Sequence, residues 1–402
     1  MSSTSFSDKH YQSICVKDPH VESNHAHVPP IYATSTFSYE DLEAAFAFFR
    51  GENNIYTYSR FSNPSVAFLG QKIAELEVSG LGLEGRGLLF ASGMAAISSA
   101  IISQIHAGDT ILAQSVIYGT SSNLIHKEFS KLGVSSQSVN FKDIEKVRKI
   151  IQENPTIKLF YIETPANPTL ECVDIEAVCK LAKEYGIKVI ADNTFATSYI
   201  QQPMKYGVDI VVYSSTKFLN GHGTGLSGAV VTKTEEDHKA VFNTLKNFGG
   251  IISPFEAFIL NNGIKTLPLR IQQHQRNAQS LADFLNQHVK IKKVNFLGLP
   301  THPDYALAQE QMRGTTGMMS FELKGGLDAG MKFQKNIHFC TLTASLGTAD
   351  TLITHPASTS HAIVDRNTRL ANGITDGLVR CSVGLEYIED ILEDISQALD
   401  QL

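Results

Sequence analysis

A lysine, an aspartate and a glycine-containing turn mark the places where chemistry is legible in this chain. Lys217 stands in Tyr213-Ser214-Ser215-Thr216-Lys217-Phe218, just past a run that reads as a buried strand. In open α/β sheets, ligands bind beyond the carboxyl ends of the strands. An amine in apolar surroundings has a lowered pKa and can form a Schiff base with an aldehyde. Ser214 and Thr216 set hydroxyls beside that amine, which suits a phosphate. Asn220-Gly221-His222-Gly223 follows, a loop whose glycines let backbone approach a ligand. Taken alone, a lysine on such a loop is an ordinary solvated cation.

Asp192 changes that balance. It follows Val189-Ile190-Ala191 directly, and an acid at the end of a buried strand is costly unless paired or hydrogen-bonded. By itself it would serve equally well as a helix cap. One βα unit separates it from Lys217, so neighbouring strand ends can place both in one crevice. A Schiff-base lysine with an Asp facing a pyridinium nitrogen is the pairing that pyridoxal phosphate requires. The phosphate of such a group needs an anion site. Ala91-Ser92-Gly93-Met94-Ala95-Ala96 follows Leu88-Leu89-Phe90 and opens an Ala- and Ile-rich helix, whose first N–H groups can supply it. Tyr118, before Gly119, offers a flat ring for stacking, although an aromatic there is as readily a core residue.

These residues need a sheet to bring them together. Six short apolar runs read as buried parallel strands: Leu88–Phe90, Thr110–Leu112, Leu159–Ile162, Val189–Ala191, Ile210–Tyr213 and Ala229–Val231. Between the third and fourth, Ile175, Val178, Leu181 and Ala182 keep helical spacing, and Gly186 is placed to end the helix. The βαβ rhythm predicts a mostly parallel sheet with helices on both faces. Residues 1–62 lack periodicity and read as an arm. Residues 63–253 form the large domain, and 254–402 a smaller α+β domain. In the latter a long helical region from Pro254 to Val289 breaks near Gly263, strands follow at Met318–Leu323 and Leu378–Val383, and a helix from Ile388 to Leu402 closes the chain.

Composition limits the function classes. The 402 residues are 43% hydrophobic and 18% charged, ordinary for a globular protein and too apolar for a disordered one. A formal charge of -6 with no basic run disfavours nucleic acid. No apolar stretch is long enough to span a membrane, and Met1-Ser2-Ser3-Thr4-Ser5 lacks an apolar signal core. Five scattered cysteines show neither metal-ligand spacing nor a disulfide framework. The chain is therefore expected to be cytoplasmic, metal-free and free of nucleic-acid or membrane partners.

Further segments, in order along the chain, carry a resemblance. They are Tyr58-Ser59-Arg60 with Asn63-Pro64, Ala91–Ala96, Glu163-Thr164-Pro165-Ala166-Asn167-Pro168, Asp192-Asn193-Thr194 and Ser214–Lys217. Ser345-Leu346-Gly347, His355-Pro356-Ala357-Ser358 and Gly377-Leu378-Val379-Arg380 continue the series. Together they resemble the pyridoxal-phosphate enzymes of cysteine and methionine metabolism, the γ-family of trans-sulfuration enzymes with the aminotransferase-like fold (fold type I), from about Pro29 to the C-terminus. The resemblance implies that Lys217 holds the cofactor covalently and moves protons, that Asp192 pairs with the pyridine nitrogen, and that Tyr118 stacks on the ring. Gly93, Met94, Ser214 and Thr216 would bind the phosphate, helped by Tyr58 and Arg60 from a neighbouring subunit. Arg380 would clamp the substrate carboxylate, with Ser345 and Asn167 nearby. The chain would be a homodimer with shared sites, pairing further into a homotetramer.

The resemblance also bears on the substrate. Members that handle cystathionine carry charges at the distal end of the substrate, where this chain has Thr57, Asn123 and Ala344. An unmet ammonium or carboxylate costs about 1–3 kcal/mol, so a neutral thioether fits better. The expected reaction is γ-elimination on a sulfur amino acid of the methionine γ-lyase type, giving 2-oxobutanoate, ammonia and a thiol. Thr120, where those lyases usually have Cys, is expected at the substrate. The alternatives are an O-acetyl- or O-succinylhomoserine sulfhydrylase, a cystathionine γ-lyase or synthase, and, from different classes, an aminotransferase or a non-catalytic binding protein.

Overall fold

The computed structural model describes residue 6 and residues 8–18, 26–362 and 365–402. Among these, β1 (Arg86–Phe90), β2 (Thr110–Gln114), β3 (Ser135–Val139), β4 (Ile157–Glu163), β5 (Lys188–Asp192), β6 (Ile210–Tyr213) and β7 (Gly228–Thr232) form one sheet in the order β1-β7-β6-β5-β4-β2-β3. The five strands from β6 to β3 are parallel, but β7 runs antiparallel to both its neighbours, so the run Ala229–Val231 is not the parallel strand expected from the sequence. Each of the six apolar runs lies in one of these strands. They read as unbroken apolar segments because both faces of the sheet are covered. Phe160, Ile162, Val189, Ala191 and Val211 point into one buried cluster, while Leu159, Tyr161, Ile190, Ile210 and Val212 point into the other.

The strand β3 was not visible in the sequence. Ser135-Ser136-Gln137-Ser138-Val139 is polar because it forms an exposed edge, paired only with β2. Ser136 and Ser138 hold the two ring nitrogens of His126, at 2.8 and 2.9 Å.

A second sheet contains β8 (Ile291–Asn295), β9 (Met318–Leu323), β10 (Thr341–Leu342), β11 (Leu352–Thr354) and β12 (Leu378–Ser382), ordered β10-β11-β12-β9-β8. The long helical region divides into Pro254–Lys265 and Leu267–Gln287. The break is at Thr266, ahead of Pro268, and not at Gly263. Proline is favoured in the first turn of a helix, so it starts the second one. Gly263 instead allows close approach, since a Cβ there would lie 2.2 Å from the Asn220 carbonyl oxygen. The N-terminal region is also more ordered than its sequence suggests. Asp41 caps Leu42–Phe49, and the short helix Tyr11–Val16 buries Tyr11, Ile14 and Cys15 in the same apolar cluster as Leu69 and Leu281.

Candidate active site

Strands β4, β5 and β6 end side by side, and a cavity of about 220 Å³ opens beyond their carboxyl ends. Glu163 closes β4 directly beside Asp192, which closes β5, so both side chains leave the same face of the sheet. Ser214, Thr216 and Lys217 follow β6, and Gly93 and Met94 open the helix Gly93–Ile102 after β1. All of these line the cavity, with Tyr118, Asn167 and Arg380.

Lys217 Nζ donates to Ser345 Oγ at 3.1 Å. Burial, and then the Arg380 cation, hold the amine below its ordinary pKa. Asp192 is 6% exposed, and burial raises its carboxyl against the opposing pull of its hydrogen bonds. Its Oδ1 accepts from Thr194 N at 3.0 Å and from Thr194 Oγ1 at 2.5 Å, and Tyr161 OH approaches Oδ2 at 3.4 Å. The Thr194 hydroxyl also accepts from Ser214 N at 2.8 Å, so it joins the acid on β5 to the segment that carries the lysine.

The segment after β6 leaves and re-enters the sheet through a closed neck. Thr216 N and Thr216 Oγ1 both donate to the Ser227 carbonyl, at 3.1 and 3.0 Å, and Ser227 N donates back to Thr216 Oγ1 at 2.9 Å. Arg270 holds the other side, its guanidinium donating to the carbonyls of Phe218, Leu219 and Gly263.

Arg380 comes from β12 of the second sheet. Nη1 donates to Asn167 Oδ1 at 3.2 Å, and Nη2 donates to the Ser345 carbonyl at 2.8 Å and to Thr354 Oγ1 at 3.2 Å. Its Nε is buried without a partner, and burial lowers the guanidinium pKa to about 10.

The residues fit pyridoxal phosphate on three observations. A Cβ on Gly93 would sit 2.7 Å from Ser214 Cβ, so only glycine lets the helix start close over Ser214 as an anion cradle. Among the described residues, no Lys, Arg or His pairs with the Asp192 or Glu163 carboxylate, which leaves a site for a ring cation. The Arg380 Nε is an open donor for a carboxylate.

Three expected residues lie elsewhere. Thr120 is exposed on the helix Gly119–Asn123 and does not line the cavity. Tyr58 and Arg60 do not line the cavity of their own chain either. Arg60 Nη1 donates to the Lys246 carbonyl at 2.6 Å, its guanidinium lies over the Phe61 and Tyr58 rings, and Tyr58 remains 40% exposed. Ser345 reaches the site through Lys217 and Arg380. Glu163 and Thr194 stand in the sequence only as members of motifs, and the structure supplies their partners. The signal that singled out Asp192, an acid ending a buried strand, was equally present at Glu163.

Residues 12–400 match the model of the family described as Cys/Met metabolism PLP-dependent enzyme. The chain is 43% identical over 376 residues to the L-methionine gamma-lyase of Fusobacterium nucleatum subsp. nucleatum, covering 93% of each. Its fold is similar to the crystal structure of cystathionine gamma synthase from Xanthomonas oryzae pv. oryzae in complex with cystathionine, with TM-score 0.90, 35% identity and 98% of each chain covered. It is also similar to that of a putative O-acetylhomoserine (thiol)-lyase from Campylobacter jejuni, with TM-score 0.93 and 29% identity over 98% of this chain and 100% of that one. The latter structure carries a pyridoxyl-lysine phosphate group. With a fold type I architecture, a lysine and an acid at adjoining strand ends and a match over almost its whole length, the chain belongs to the pyridoxal-phosphate-dependent enzymes of cysteine and methionine metabolism.

Proposed function

We propose that this enzyme eliminates the γ-substituent of methionine or a close analogue, consuming water and giving 2-oxobutanoate, ammonia and a thiol. The observation that carries this reading is the wall around Ser345. Ala344 and Leu346 line the cavity there, with Leu226 and Phe195 also on its lining, and none of these offers a charge to a distal amino-acid head. The similarity to a methionine γ-lyase supports the same reading.

Lys217 would hold the cofactor, Asp192 would pair with its pyridine nitrogen and Tyr118 would stack on its ring, all three lining the cavity. Gly93, Met94, Ser214 and Thr216 receive the phosphate. When bound, pyridoxal phosphate supplies an electron sink for the charge left at Cα. Arg380 binds the substrate carboxylate through its free Nε, and Asn167 fixes the guanidinium from the other side. Lys217 Nζ would remove the Cα proton, pass it on to C4′ of the cofactor and, as a free amine again, remove a Cβ proton, while the Ser345 hydroxyl orients the amine. Tyr58 of the partner subunit delivers a proton to the leaving sulfur, and Arg60 of the partner subunit reaches the phosphate. Two chains are then the smallest complete unit, and a pair of such dimers makes a tetramer. Residues 63–253 and 254–402 act as its large and small domains. The five cysteines are all free and buried, which supports a reducing, cytoplasmic setting.

A substrate panel tests the reaction. Methionine should yield 2-oxobutanoate and methanethiol with a higher kcat/KM than cystathionine. A product formed only from O-acylhomoserine and sulfide would replace this reading with a sulfhydrylase. Borohydride treatment should fix the cofactor to the peptide carrying Lys217, and labelling of another lysine would overturn the assignment.

A further inference from the structure

Both oxygens of the Glu163 carboxylate are committed. Oε2 accepts from Tyr118 N at 2.7 Å, and Oε1 accepts from Asn167 N at 2.8 Å. The backbone N–H of Glu163 donates to Gln114 Oε1 at 2.9 Å, so the same residue is anchored to the end of β2. Tyr118 has little else to hold it, being 43% exposed at the head of a five-residue helix with no side-chain cap. Asn167 passes the constraint on, because its Oδ1 accepts from Arg380 Nη1. Glu163 is therefore one hydrogen bond from Tyr118 and two from the guanidinium, and it stands next to Asp192 in the register of adjacent strands.

We propose that Glu163 is a positioning residue that ties Tyr118 and Asn167 to the Asp192 end of the pocket, so that one carboxylate sets both the cofactor's stacking partner and the substrate's carboxylate clamp. This rests on the cofactor placement proposed above and is independent of which sulfur amino acid reacts. Only an ionised Glu163 offers two full acceptors to two N–H donors. Burial, and then the neighbouring Asp192 charge, push its carboxyl above the ordinary carboxylate range. The other titratable groups that reach or line this part of the site are Tyr161, Tyr118, Lys217 and Arg380. A ring cation held at Asp192 favours the ionised pair, which couples cofactor binding to the geometry of Tyr118 and Asn167.

Glu163→Gln replaces one acceptor by a donor and removes the charge at almost constant size. The expected result is a dissociation constant for pyridoxal phosphate raised roughly ten- to hundredfold, as for loss of a buried hydrogen bond to a charged group. The visible circular dichroism of the bound cofactor should weaken, because it reports how the ring is held. In the loaded enzyme, KM for the amino acid should rise by a larger factor than kcat falls. Glu163→Asp keeps the charge and should recover part of the dichroism and affinity, and it serves as the variant if Glu163→Gln does not fold. A wild-type protein that fails to bind pyridoxal phosphate would overturn the cofactor placement and this inference together. A wild type that binds it, with a Glu163 variant matching it in affinity and dichroism, would overturn this inference alone.

Discussion

Lys217 Nζ and Ser345 Oγ meet at 3.1 Å, joining the segment after β6 of the large sheet to the stretch between β10 and β11 of the small one. Removing the hydroxyl leaves the amine without its acceptor. Ser345→Ala should lower kcat roughly three- to tenfold, the worth of one ordinary hydrogen bond, with little change in cofactor content. Wild-type turnover in the variant would show that the amine needs no such guide.

The same amine makes the cofactor-free protein sensitive to pH. Its folded pKa is lowered by burial and by Arg380, while in the unfolded chain it returns to about 10.4. Between those values the unfolded state binds more protons, so this group contributes stability that increases as pH rises through the window and is lost below it. Lys217→Met should raise the melting temperature of the cofactor-free protein at pH values below the unfolded pKa of about 10.4 and flatten its slope as pH rises toward that value. Calorimetry giving parallel slopes for the two proteins would mean that the amine is not depressed.

The position of Arg60 and Tyr58 outside their own cavity leads to a mixing experiment. Lys217→Ala chains lack the amine, and Arg60→Ala chains lack the arm, so each homodimer should be inactive. Hybrids place one intact lysine and one intact arm at a single site and should regain up to about half of wild-type activity per hybrid dimer, or about a quarter in a randomised equal mixture, as one site of two is whole. Hybrids that form and stay inactive would rule out a shared site.

Gly93→Ala puts a Cβ 2.7 Å from that of Ser214. Crowding of this kind typically costs about 1–3 kcal/mol, and here it should also push the helix start off the phosphate site. Equilibrium dialysis should show weaker cofactor retention together with the stability loss. Unchanged retention would move the phosphate elsewhere.

Ala344→Glu tests the apolar wall. It places a carboxylate on the cavity lining, where a distal ammonium would be received. The ratio of cystathionine to methionine kcat/KM should rise about tenfold, as expected for one newly met charged group. A ratio that does not move would show that distal discrimination lies in other residues. Asn123 is exposed and off the lining, so Asn123→Arg should matter less.

Most of the large sheet was readable because its strands are covered on both faces, and unbroken runs such as Ile210–Tyr213 leave few other interpretations. The edge strand β3 carries no such run, since one-sided burial removed the need for apolar residues. Gly263 looked like a helix break because glycine is a poor helix former, but its role is steric and depends on Asn220, 43 residues earlier in a different element. Within the site, Lys217, Asp192 and Gly93 were legible through their place at strand ends. Glu163 carries no sequence signal of its role because its partners are backbone N–H groups, which every residue has and no sequence pattern announces. Thr120 follows the stacking tyrosine by two residues, which suggests the site, but the fold turns it to solvent.

The closed neck between Thr216 and Ser227 makes the intervening loop modular. Its tip, His222, Gly223 and Thr224, is exposed, while Gly221 and Ser227 on either side are buried. Because the neck and the Arg270 clasp fix the base, the tip can be lengthened or exchanged for another sequence without relocating Lys217. Grafted tips should leave the absorbance of the bound cofactor unchanged, so the loop can be redesigned separately from the lysine it follows.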